Sequence, residues 1–188
     1  MRQTRTLIEM AQSAIEWSDW YADARREIRQ VSRRARWNRR RFCDVLGLTS
    51  PRCAVRRNIR LALHYMATGD HLPAAMTNIR QSIQHYEATG EIRGPKTKPF
   101  ADALFGDDRA IVFDSWMESA MDVAPKESRK QHVRARMTRR LLDVADALGL
   151  SPASAQAAIW MAERESAGFK PIGYPVVEEF ERFTTIGE

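Results

Sequence analysis

GEIRGPKTKPFADALFGDDRAIVFDSW, Gly90 to Trp116, is the stretch on which the reading of this chain turns. Gly90 stops the helical pattern before it, because glycine reaches left-handed backbone angles at no steric cost. Gly94 offers the same freedom inside the turn, and Pro95 presets the first turn of a following helix. Amides at a helix N-terminus have no partner inside the helix, so those of Lys96 and Thr97 form a small anion site to which Lys96 and Lys98 add charge. The helix then buries Phe100, Ala101, Leu104 and Phe105. Gly106-Asp107-Asp108 breaks it, and Asp108 is placed to cap a further helix starting near Arg109. Ala110-Ile111-Val112-Phe113 could pass for a short strand, but reads as the buried start of that helix because its surroundings are helical. Asp114 ends the apolar run. A carboxylate in apolar company costs free energy unless it is paired or functional.

Outward from this stretch, the spacing is helical almost everywhere. Leu7, Met10, Ala14, Trp17 and Tyr21 form one apolar stripe. Further helices are expected over 20–36, 38–47, 126–148 and 175–183. Two more should open on a serine cap followed by proline, at Ser50-Pro51 and Ser151-Pro152. Met76, Ile79, Ile83 and Tyr86 mark the helix that Gly90 ends. No useful β alternation occurs. The expected fold is all-α, a compact multi-helix domain. Its expected organisation is N-terminal helices with an arginine-rich segment at 1–41, a helical core at 42–168 and a tail at 169–188.

Composition narrows the function classes. The 188 residues are 44% hydrophobic and 29% charged, which suits a folded chain and not a disordered one. No apolar run approaches the ~18 residues that span a bilayer, and the N-terminus lacks a signal peptide's pattern. A cytoplasmic location and no membrane partner follow as expectations. Cys43 and Cys53 are too few for a structural zinc site or a four-cysteine iron–sulfur cluster. His64, His71, His85 and His132 add no ligand spacing, so neither metal nor cofactor is expected. The net charge is +6, yet nine arginines and a single acid, Glu27, lie between Arg25 and Arg41, so the remainder is slightly acidic. Arginine's planar fork fits phosphate oxygens, and such a cluster points to a polyanion. Arg33, Arg34, Arg36, Arg39 and Arg40 are the candidate contacts there. Trp20 and Trp37 flank the cluster and read as core or interface residues, and Trp116 and Trp160 read as core.

GPKT at 94–97, FADALFG at 100–106 and AIVFD at 110–114 resemble, in order, the hairpin, following helix and aspartate of the helix-hairpin-helix DNA glycosylase superfamily, the endonuclease-III-like proteins. Eighteen positions separate Lys96 from Asp114, as in that family. RLLDVADALGLSPASAQAAIW at 140–160 looks like the C-terminal helices of small phage-encoded proteins associated with it. Ile92 stands where the family has its first hairpin glycine, so the motif here is degenerate. The resemblance implies a DNA-binding protein that acts on a base or glycosidic bond, in repair or in phage base hypermodification. It implies Asp114 as the carboxylate that stabilises charge on the sugar and Lys96 as the nucleophile of bifunctional members. Gly94, Thr97, Lys98 and Arg93 become phosphate contacts, with duplex DNA preferred to single strands. For a bacteriophage protein the location would be the host cytoplasm. The alternative is a non-catalytic DNA-binding protein that retains the fold.

Overall fold

The computed structural model describes residues 1–70 and 75–186; His71 lies outside the described residues. The fold is all-α, and among the described residues there is no strand. In order the α-helices are α1 (Thr4–Ser13), α2 (Trp20–Arg34), α3 (Arg39–Thr49), α4 (Val55–Thr68), α5 (Thr77–Thr89), α6 (Thr97–Phe105), α7 (Ser115–Ala120), α8 (Gln131–Leu148), α9 (Pro152–Ser166) and α10 (Val176–Ile186). They form two compact units, one of Met1–Tyr21 with Asp107–Ile172, the other of Ala22–Gly106 with Gly173–Glu188. These boundaries differ from the expected 1–41, 42–168 and 169–188. Sequence order suggested consecutive pieces, whereas each unit here is assembled from two separated segments.

The first unit packs α1, α7 and α8 against α9. Leu7, Met117, Met121, Met137, Leu141, Val144 and Ile159 fill its core. α9 contributes small residues, Ala155, Ala158 and Ala162, so its neighbours approach closely. The stripe from Leu7 to Tyr21 is not one helix. α1 ends at Ser13, whose hydroxyl donates to the Met10 carbonyl, and a 3₁₀ turn at Ile15–Trp17 redirects the chain. The long helix expected from 126 begins only at Gln131. The buried Glu118 carboxylate accepts the N–H groups of Lys126 and Ser128 at 3.1 and 3.2 Å, which holds that stretch in a turn.

The second unit is organised on α3, every residue of which from Phe42 to Thr49 is buried. A helix buried on all sides belongs in the middle of a core, and α3 packs on α4, α5 and α6, its one buried acid, Asp44, paired with Arg40. Gly47 permits the closest of these approaches, since a Cβ there would sit 2.7 Å from the Thr97 carbonyl oxygen and 2.9 Å from the Ala101 Cβ. Ser50-Pro51 does not open a helix. Ser50 closes α3 by donating to the Gly47 carbonyl at 2.8 Å, and α4 starts at Val55. The expected tail is core. Tyr174 donates to the buried Asn58 Oδ1 at 2.5 Å, and Asn58 Nδ2 in turn donates to Thr49 Oγ1 and the Leu46 carbonyl. α10 lies on α4, with Glu179 buried and paired to Arg56 at 2.6 Å.

Candidate nucleic-acid interface and carboxylate site

Asp114 belongs to the first unit and Lys96 to the second. The helix expected from Arg109 does not form. Residues 109–114 run in a turn and then without regular structure, and α7 begins at Ser115. The reason lies in α9. Gln156, to which the sequence assigned no role, is buried, and its Oε1 accepts the Val112 N–H at 2.7 Å. The Ala153 N–H donates to the Asp108 carbonyl at 3.1 Å. These bonds satisfy backbone groups that a helix would have satisfied internally. The stretch is thereby delivered with Asp114 as the N-cap of α7.

Asp114 Oδ1 accepts the N–H groups of Trp116 and Met117, both at 3.1 Å. Its Oδ2 accepts the indole N–H of Trp160 at 3.3 Å. The carboxylate is half-buried and fixed in direction by three donors. Beside it, Arg164 lies 4.7 Å from the Trp160 ring centroid and 5.4 Å from those of Trp116 and Phe169. Burial lowers the Arg164 pKa, and the Asp114 charge opposes that shift. The Arg164 Nε is closed to solvent and has no hydrogen-bond partner. Trp116 and Trp160 are therefore not simple core residues. They are half-buried, and with the 51% exposed Phe169 they surround the Arg164 guanidinium, while the Trp160 indole reaches the Asp114 carboxylate. Sequence reasoning missed Arg164, although Trp160 and Arg164 stand at i and i+4, the spacing at which helix side chains meet. Aromatic faces of this kind can stack on a base, and an oriented carboxylate can stabilise a developing cation.

In the second unit, Gly94 has φ 118° and a Cβ there would meet Thr97 Oγ1 at 2.7 Å, so the turn requires glycine on two counts. Thr97 is buried, and its hydroxyl donates to the Arg93 carbonyl at 2.5 Å. Its side chain is committed to the turn and not to a ligand. α6 starts at Thr97, two residues later than a proline at the first helical position would give, and Lys96 is its N-cap. Lys98 is engaged too, pairing with Asp102 at 2.6 Å. Asp102 also takes Arg40 at 2.8 Å. Burial works against ionisation of Asp102, but the hydrogen bonds of Lys98 and Arg40 prevail and hold its pKa below the ordinary value. Arg93 is exposed.

The arginine segment is less open than its composition suggests. Arg25 donates to the Ala103 carbonyl at 2.7 Å. Arg34 pairs with Glu181 at 3.1 Å and lies over Phe180, and Arg41 pairs with Glu87 at 2.9 Å. Arg40 also meets Asp44 at 2.8 Å. Arg39 lies 4.4 Å over the Phe105 ring. Acids distant in sequence meet this segment only on folding. Arg36 adopts φ 56°, the left-handed residue of a helix C-terminal motif in which the Trp37 N–H reaches the Ser32 carbonyl at 2.9 Å.

Among the described residues, no group of three or more His, Cys, Asp or Glu side chains could hold a metal ion, and no helix is long and apolar enough to cross a membrane. Burial pushes the Cys43 thiol up to about 12.

An all-α chain of two units, with an aromatic-flanked carboxylate in one and an arginine-rich face in the other, is what fold and site define. The chain belongs to a family described as a family of unknown function, DUF7178, whose model matches residues 5–167. No curated protein and no solved structure matches it.

Proposed function

We propose that this protein binds DNA and acts on a base or its glycosidic bond, with Asp114 as the working carboxylate, in line with the resemblance to the helix-hairpin-helix glycosylases. The observation that carries this reading is the state of Asp114. Three donors aim its carboxylate, one of them the Trp160 indole, and the neighbouring Arg164 is itself flanked by the rings of Trp116, Trp160 and Phe169. A fixed carboxylate needs little reorganisation as positive charge develops on a sugar. The rings supply faces for an unstacked base. Gly94, Lys96, Lys98 and Arg93 are read as the grip on a phosphate, with Thr97 shaping the turn beneath them. Lys96 stays with the grip in this reading. Arg33, Arg36 and Arg39 supply further positive charge.

A second reading has its own support. Asp114 caps α7, and a cap is sufficient reason for an aspartate there. A protein that binds DNA without chemistry would need no more of it. Base release from duplexes carrying single damaged or hypermodified bases, followed by mass spectrometry, separates the two. Release by the wild type and none by Asp114→Asn supports the enzyme. Salt-sensitive binding without release on any duplex supports the binder.

A further inference from the structure

The motif that ends α2 also makes a cleft. Arg29, Ser32, Arg33, Trp37 and Arg39 line a space of about 330 Å³ in the second unit. Arg29 and Arg33 stand four residues apart on one face of α2, with Ser32 between them in sequence. Both are exposed, and among the described residues neither has an acidic partner. Arg39 closes the wall from α3, held over Phe105. Trp37 is held on edge against Phe42 and Phe180, at 5.3 and 6.0 Å between centroids.

Ser32 is the observation that turns a basic face into a site. It is only 5% exposed, and its Oγ has no hydrogen-bond partner. A serine inside a helix ordinarily bonds a carbonyl of the preceding turn. A buried hydroxyl left unpaired is costly, and each such group in a folded protein calls for a reason. A second arginine-lined cleft, with Arg136, Arg139, Arg140 and Asp143, has no such group. It also carries an acid in its wall, and Arg140 there is already bound to the Arg2 carbonyl.

We infer that this cleft is a phosphate site, in which the Ser32 hydroxyl donates to one phosphate oxygen while Arg29, Arg33 and Arg39 neutralise the others. The exposed Arg29 and Arg33 side chains turn aside to admit the ligand to Ser32. Trp37 is the wall on which an attached nucleoside rests. The inference rests on the DNA-binding reading for the source of the phosphate, which is either the backbone of a strand or a terminal phosphate. The cleft's chemistry is common to both.

The test titrates inorganic phosphate into the full chain and follows the Trp37 indole N–H and the Ser32 amide by NMR. Both shift in the wild type. Ser32→Ala weakens phosphate about tenfold, the loss expected for a hydrogen bond to a charged group. It leaves the melting temperature unchanged or raised, since the hydroxyl has no partner to lose. A lowered melting temperature with unchanged phosphate affinity assigns the hydroxyl a structural role and overturns the inference. Arg29→Gln, at an exposed position, weakens phosphate without touching the core. Unchanged affinity in that variant is equally contrary.

Oligonucleotides with and without a 5′-phosphate then separate the sources. A preference for the phosphorylated strand that Ser32→Ala abolishes names a terminal phosphate. Equal weakening of both strands names the backbone. Phosphate binding that needs Ser32, with no oligonucleotide binding at all, keeps the site and removes the DNA reading. Oligonucleotide binding indifferent to Ser32 and Arg29 keeps the DNA reading and removes the site.

Discussion

The Trp160 indole N–H donates to Asp114 Oδ2 at 3.3 Å, while Asp114 Oδ1 caps α7. One carboxylate thus ties the start of a short helix to the middle of α9. In Asp114→Asn the amide oxygen keeps the cap, and asparagine caps helices about as well as aspartate, but the amide nitrogen cannot accept the Trp160 N–H. Asp114→Asn should therefore lose ~1 kcal/mol, the Trp160 bond alone, and Asp114→Ala ~2 kcal/mol or more, that bond together with the cap. Urea denaturation measures both. A loss in the asparagine variant as large as that in the alanine variant would mean that the cap contributes nothing to the fold.

Gly47 faces the start of α6, and the added methyl of Gly47→Ala meets a carbonyl oxygen at 2.7 Å. Backbone cannot yield as a flexible side chain does. The expected loss is ~1–3 kcal/mol. Gly69→Ala has open space around its Cβ but φ 72°, so it should lose only the ~1 kcal/mol of left-handed strain. Equal losses in the two variants would contradict close packing of α3 on α6.

Asp102 gives a pH dependence. Its folded pKa lies below the ordinary 3.8, so the folded chain binds fewer protons there than the unfolded chain. The stabilisation is fully present above about pH 4–5 and is lost as pH falls through the folded value. Asp102→Asn should flatten the fall in urea midpoint between pH 5 and pH 3. An unchanged slope would show that Lys98 and Arg40 do not hold this carboxyl.

Arg36 sits at φ 56°, a position that glycine occupies without strain. Arg36→Gly should raise stability by ~0.5–1 kcal/mol. If DNA affinity falls at the same time, Arg36 contributes charge to the interface. A drop in stability would mean that the Arg36 side chain supports the fold.

The thiols offer a local probe. Cys43 is buried with its pKa pushed up to about 12, and should react with a disulfide reagent only on unfolding. Cys53 is half-buried. Burial raises its pKa too, against the opposing charges of Arg57 and Lys96. It should react first, and more slowly once a phosphate neutralises Lys96. Reaction of Cys43 at the rate of Cys53 would contradict the packing of α3.

Helices with an apolar stripe and a local stop were legible in the sequence. Gly69, Gly90 and Gly149 end their helices at left-handed angles, and Ser151 caps α9 by accepting the Ser154 N–H. The failures share one cause, a partner distant in sequence. Gln156 holds 109–114 out of a helix by taking the Val112 N–H, and no local signal in that stretch announces it. Glu118 does the same to 126–128. Glu87, Asp102 and Glu181 take up arginines that read as exposed charge. At the site, Asp114 stood out by its apolar company. Its companion Arg164 did not, because an arginine late in a polar helix end looks ordinary until Trp116 and Phe169 are placed around it.

Base release by the purified protein tests the central claim most directly, on duplexes each carrying one damaged or hypermodified base, with Asp114→Asn alongside. The account predicts a freed or altered base with the wild type, and none with a variant that folds and binds as well. Release that persists in Asp114→Asn, or no release by the wild type on any duplex that it binds, would contradict it.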